Sequence, residues 1–162
     1  MARKISTKIM NAVEGYLKRD GWHFDQDDEH GMFIAKAALH NKLKAAKVIV
    51  LVDNDSFAVR VIAPVSSETK SEDLNRVNEF LARANYGMAR GGFELDFRDG
   101  EIAFRTSQFC GDDPPTDSAV EETIYISVMA MQRYGNAMLK VIYGFSEPED
   151  AIEEAENDRG VT

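Results

Sequence analysis

The chain has 162 residues, 44% of them apolar and 29% charged, with a net charge of −9, the composition of one globular domain large enough to bury a core of its own. The acidic total disfavours nucleic acid and anionic membrane as partners. The longest aliphatic run, Val48 to Val52, is far too short for a membrane span, no apolar stretch follows the basic start Met-Ala-Arg-Lys as a signal peptide requires, and the single cysteine, Cys110, permits no internal disulfide, so a cytoplasmic protein is expected.

Ile5, Ile9, Ala12, Val13, Tyr16 and Leu17 recur at helical spacing and predict a first helix over Ile5 to Lys18, ended by Asp20-Gly21. Trp22 to Gln26 alternates as a short strand, Asp27 to Gly31 turns, and Met32 to Leu39 returns. Val48 to Val52 is aliphatic at every position, which predicts a central strand buried on both faces. Phe57 to Ala63 alternates, with Phe57, Val59 and Val61 on one side, and Pro64 stops it. Thr69 and Glu72 have the spacing of a capping box opening a second helix, striped with Leu74, Val77, Leu81 and Ala84 and closed by Asn85-Tyr86-Gly87.

Gly92 to Ser107 then reads as a hairpin about Asp99-Gly100, a strong two-residue turn signal. That turn sets Phe97 opposite Ile102, Leu95 opposite Phe104 and Phe93 opposite Thr106 on an apolar face. Glu94 with Arg105 and Arg98 with Glu101 pair on a wet one. Ser118 and Glu121 suggest another capping box, and the third helix runs from about Ala119 to Tyr143, stopped by Gly144. A short acidic helix, Glu149 to Glu156, follows. From Glu147 onward seven acidic residues face one basic residue, Arg159. Strands grouped apart from helices predict an α+β fold with an antiparallel sheet of about six strands and three main helices, in the order α-β-β-β-β-α-β-β-α plus the acidic helix. The expected division is a single domain over 1–145 and an acidic helix and tail over 146–162.

Candidate chemistry is thin. Asp25, Asp27 and Glu29 alternate as in a calcium loop, but His30 stands where the sixth-position glycine is needed and Lys36 where the twelfth-position glutamate is needed. His23, His30 and His40 lack metal-site spacing. Cys110 adjoins an acidic loop, which raises a thiol pKa. Gly87, Gly91 and Gly92 precede a strand, whereas a phosphate loop precedes a helix. Arg76, Arg83 and Arg90 offer cations to an acidic partner or a phosphate, or simply to solvent. No catalytic, cofactor-binding or metal-binding residue is expected.

The third helix stands out because its apolar arc exceeds the roughly 100° that a surface helix needs. Val120, Ile124, Val128, Met131, Met138 and Ile142 fall on one side, and Ile126, Ala130, Tyr134, Ala137 and Val141 on the next. Either a second polypeptide or the acidic C-terminal helix covers the surplus. Met129, Met131 and Met138 suit an adaptable contact. On the second helix Phe80 lies off the stripe centre, either tucked under its own sheet or covered by a partner. Phe80, Met129, Met131, Met138 and Tyr134 are therefore the candidate interface residues.

The runs Leu74-Asn75-Arg76-Val77-Asn78-Glu79, Gly92-Phe93-Glu94-Leu95-Asp96 and Gly100-Glu101-Ile102 resemble the YbjN-type family, as do Val141-Ile142-Tyr143-Gly144 and Pro148-Glu149-Asp150-Ala151-Ile152. The family is described as sensory-transduction regulators and is similar in fold to type III secretion chaperones, small acidic α+β proteins that are often dimeric and bind other polypeptides. The resemblance implies a non-enzymatic, chaperone-like, protein-binding module and a homodimer. The alternative is a small-molecule sensor or small enzyme with a pocket between the sheet and the third helix.

Overall fold

The computed structural model describes residues 2–65 and 69–157. Helix α1, Thr7–Arg19, opens on Ser6, whose hydroxyl accepts the Ile9 N–H at 3.2 Å, and closes on Lys18 and Arg19, cations that suit the carbonyl end of a helix. Four strands follow: β1, Phe24–Asp27; β2, Met32–Ala38; β3, Ala45–Val52; and β4, Ser56–Ile62. Then come α2, Leu74–Asn85; β5, Gly92–Leu95; β6, Ile102–Phe109; α3, Asp117–Ile142; and α4, Pro148–Asn157. The fold is α+β, as expected.

The six strands form one antiparallel sheet in the order β1-β2-β3-β4-β6-β5. One face carries Phe33, Val48, Val50, Phe57, Val59, Val61, Phe93, Ile102 and Phe104, all buried. The 26-residue α3 crosses the middle of this face, over β3, β4 and β6, while α2 packs on β5 and α1 on α3. Helix α4 lies outside, on α2 and α3, with Pro148, Ala151 and Ala155 buried. The core joins Val13 and Leu17 of α1 to Val77, Phe80 and Leu81 of α2 and to Val120, Met131 and Met138 of α3. Two hydroxyls buried in α3, Thr123 and Ser127, donate to the carbonyls of Ala119 and Thr123 at 2.6 and 2.9 Å, so neither needs water.

Four local expectations are corrected. Strand β3 is buried on one face only: Val48, Val50 and Val52 are covered, while Ile49 and Leu51 stay partly open on the far face. The hairpin is shifted by two residues, with Phe93 opposite Phe104 and Leu95 opposite Ile102. The Asp96 carboxylate accepts the Arg98 N–H and the Asp96 carbonyl accepts the Gly100 N–H at 2.8 Å, so the chain turns earlier than the Asp-Gly pair suggests. An even shift keeps every side chain on its face, but it releases Phe97 to solvent and pairs Arg98 with Asp96 instead of Glu101. No capping box forms at the second helix. A single tight turn, Ser71–Asp73, leads into α2, and neither has a side-chain cap. Helix α3 begins earlier than the Ser118 box, with the Thr116 hydroxyl accepting the Ala119 N–H at 3.1 Å.

Candidate interaction groove

At the end of α2, Asn85 replaces a missing strand neighbour. Its amide donates to the Phe93 carbonyl at 3.0 Å and accepts the Phe93 N–H at 2.6 Å. The edge strand β5 is thereby occupied at its centre. Held at Asn85, the chain leaves α2 outward through residues 86–90, and Tyr86 is 90% exposed. The segment returns through Gly91 at φ +72°, where a Cβ would meet the Arg105 carbonyl and the Phe104 ring, each at 2.7 Å. Only glycine fits that backbone and that space.

Between residues 86–90 and α3 runs an open groove of about 480 Å³. Phe104 of β6 is among the residues lining it, and Tyr86, Met88 and Arg90 stand on one side. Tyr125, Ile126, Met129, Ala130 and Arg133 of α3 form the other. Tyr125 is 60% exposed and Met129 40%, on successive turns of the helix. Arg90 is held by Glu122 at 3.2 Å and by Gln108 at 3.4 Å. Arg133 stacks over the Tyr134 ring at 5.4 Å, and the Tyr134 hydroxyl donates to Glu156 of α4 at 3.3 Å. Burial raises the Tyr134 phenol pKa.

Of the five candidate interface residues, Met129 and Tyr134 line this groove, and only Met129 is exposed. Phe80, Met131 and Met138 have no solvent exposure, and Tyr134 has 4%. Phe80 meets Tyr134 edge-on, with ring centroids 6.5 Å apart, and Tyr134 meets Phe93 at 5.7 Å. These four are core residues, because the surplus apolar arc of α3 is absorbed within the chain by the sheet, α1, α2 and α4. Tyr86 and Tyr125 were missed. Tyr125 stands one helical turn from both Glu121 and Met129, a spacing that marks an aromatic on the polar side of the helix. Tyr86 sits in a turn, where periodicity carries no signal.

The remaining candidates lie apart. His30 contacts Asp27 at 2.8 Å, the backbone of His40 donates to Gln132 of α3, and His23 borders a shallow cleft with Trp22, Lys36 and Lys44. Among the described residues no group of three or more His, Cys, Asp or Glu is placed to hold a metal. Burial and the nearby Asp55 carboxylate push the Cys110 thiol pKa up, the wrong direction for a nucleophile. Arg76 serves the fold, donating to the Val141 carbonyl at 2.9 Å and pairing with Asp73, and Arg83 pairs with Glu79. Among the described residues no helix is long and apolar enough to cross a membrane.

A six-stranded antiparallel sheet crossed by one long helix, with an open aromatic groove beside that helix, defines a small α+β protein. The chain belongs to the YbjN family, described as "Putative bacterial sensory transduction regulator", whose profile matches residues 10–140. No curated protein matches the chain. Among solved structures it is similar to a chain of the ExsC–ExsE complex, with a TM-score of 0.50 and 15% identity over 80% of this chain and 95% of that one. A chain of the HopA1–SchA chaperone–effector complex has a TM-score of 0.48 and 12% identity over 80% and 95%. An uncharacterized protein from Methanothermobacter thermautotrophicus has a TM-score of 0.50 and 14% identity over 90% and 96%. At these identities the likeness is one of fold.

Proposed function

We propose that the chain is a cytoplasmic, non-enzymatic module that binds another polypeptide in the groove between residues 86–90 and α3, in a regulatory or chaperone-like role. The observation that carries this reading is the exposure of Tyr86, Tyr125 and Met129 together along one apolar channel. Aromatic, methionine and arginine side chains are the types enriched at protein interfaces, and contiguous exposed apolar surface marks a contact. Family membership and the fold support the same reading. A small-molecule sensor or enzyme calls for convergent polar groups in a concave pocket. Here Arg90 is already engaged with Glu122, and the channel is open along its length.

The test is selection of a random 12-residue peptide library on the purified protein, followed by titration of the enriched peptides. Binding should weaken at least tenfold in Tyr125→Glu and in Tyr86→Ala. Both positions are exposed, so the fold is kept. Enriched peptides that bind both variants as tightly as the parent would remove the groove from the reading.

A further inference from the structure

A second cleft continues the groove. It encloses about 580 Å³ and shares Met129, Arg133 and Glu156 with the first. Gln132 and Asn136 of α3 line it, with His40 and Asn41 of the β2–β3 connection on one side and residues 154–156 of α4 on the other. The two amides are oriented by the neighbouring backbone. Gln132 Oε1 accepts the His40 N–H at 2.6 Å, and Asn136 Oδ1 accepts the Lys42 N–H at 2.9 Å. A backbone N–H requires an oxygen at that place, so the nitrogen of each amide is the atom left over. Among the described residues neither nitrogen has an acceptor.

Arg133 lies between them in the chain and is exposed, with its guanidinium over the Tyr134 ring at 5.4 Å. A cation–π contact uses the flat face of the guanidinium and leaves its N–H edge free. Among the described residues that edge makes neither a hydrogen bond nor an ion pair. Three donor groups without acceptors therefore border the cleft within one turn of α3. Charge points the same way. No acidic residue occurs from His30 to Val52, and Lys42 beside the cleft is exposed. Of the carboxylates across the cleft, Glu154 is held by Lys140 at 2.5 Å and Glu156 accepts the Tyr134 hydroxyl.

We propose that the polypeptide bound in the groove presents an acidic side chain to Arg133, flanked by the Gln132 and Asn136 amides. The inference rests on the groove reading above and adds the chemistry of its partner. The planar fork of an arginine matches a carboxylate through two parallel bonds. The carboxylate belongs to an internal Asp or Glu and not to a chain end, because the channel is open along its length and the bound chain runs on. Spacing sharpens the motif. Tyr125 and Arg133 stand about 12 Å apart along α3, a distance that an extended chain covers in about three or four residues. The partner therefore places an aromatic or large apolar residue against Tyr86 and Tyr125, and its acidic residue three or four positions away.

The 12-residue peptide library tests it. Selected peptides should carry an Asp or Glu at that spacing from an aromatic or large apolar residue. The tightest of them is then titrated by fluorescence anisotropy as selected, with the acidic residue changed to its amide, and with an amidated C-terminus. The side-chain amide should cost at least tenfold in affinity, and the amidated C-terminus should cost nothing. Arg133→Glu should bind the selected peptide at least tenfold more weakly and bind a version with lysine at the acidic position as tightly as the parent binds the original, with an unchanged circular-dichroism spectrum. Selected peptides without the acidic residue, a side-chain amide that binds like the original, a loss on amidating the C-terminus, or a lysine version that does not restore binding would each overturn the inference. If those peptides still lose affinity for Tyr125→Glu, the groove reading stands and only the acidic requirement falls. Peptides indifferent to both Tyr125→Glu and Tyr86→Ala would remove the two together.

Discussion

At the residue scale, Asn85 shows how one polar side chain can close a strand edge. Its amide satisfies both the N–H and the carbonyl of Phe93. Asn85→Ala leaves two part-buried backbone groups without these bonds, and chemical denaturation should show a loss of about 1–3 kcal/mol. Two glycines in helices behave oppositely. A Cβ on Gly135 would meet the Asn41 amide nitrogen at 2.5 Å and Leu43 Cδ1 at 2.7 Å. Asn41 is not free to yield, since it donates to the carbonyls of Met131 and Gln132. Gly135→Ala should therefore destabilise by about 1–3 kcal/mol. A Cβ on Gly15 meets only the far end of Arg19, at 3.0 Å. Arg19 also donates to the Asp117 carboxylate at 2.8 and 2.6 Å, but both side chains are exposed and can shift together, so Gly15→Ala should stabilise by about 0.5–1 kcal/mol through helix propensity. Asp96 supplies the pH dependence. Side-chain and backbone hydrogen bonds from Arg98 hold its carboxyl pKa down, at about 2 against an ordinary 3.8. A lowered folded-state pKa stabilises the turn above the ordinary value, and that contribution is lost as pH falls from about 4 towards 2. Carboxyl NMR titration should place the Asp96 midpoint near 2, and in Arg98→Ala, which removes the guanidinium but keeps the backbone N–H, it should rise only part of the way to the ordinary range.

At the element scale, burial decides what periodicity leaves open. Phe80 is fully buried and packs edge-on to Tyr134, so Phe80→Asp puts a carboxylate into the core without a partner. Its expected effect is loss of the fold, by about 4 kcal/mol or more, read as loss of cooperative unfolding and of near-ultraviolet circular dichroism. A folded Phe80→Asp variant would show that α2 does not lie under the sheet's core face. The strands and helices were legible in the sequence because alternating and 3.6-residue patterns are local, as at Phe57, Val59 and Val61. Register was not. Asp96 competes with Asp99-Gly100 for the turn, and either turn keeps Phe93, Leu95, Ile102 and Phe104 on one face. The groove was hardly legible at all. Met129 was found because it is apolar on a helix already overloaded with apolar residues, whereas Tyr86 owes its exposure to Asn85, Gly91 and the course of the chain between them.

At the scale of the whole molecule, α4 is the element that separates charge from core. It contributes only Pro148, Ala151 and Ala155 as buried residues, with Ile152 partly covered. Lys140 reaches Glu154 and Tyr134 reaches Glu156, both from α3. The segment 146–162 carries −6 of the chain's −9, so α4 sits on α2 and α3 with a small apolar footprint beneath a strongly acidic outer face. Glu153, Glu154 and Glu156 lie within one turn and repel one another. Low salt should therefore weaken the docking of α4, because the repulsion is less screened. A chain ending at residue 145 should keep the sheet and the other three helices, since their buried contacts run among themselves. It should lose about 2–4 kcal/mol for the uncovered alanine, proline and isoleucine surface, with a net charge nearer −3. The measurement is thermal unfolding of the two lengths at 20 and 300 mM salt. The full chain should gain more Tm from salt than the shorter one, and both should unfold cooperatively. A molten or insoluble shorter chain would show that α4 completes the core and that the boundary at 145 is no boundary in the fold.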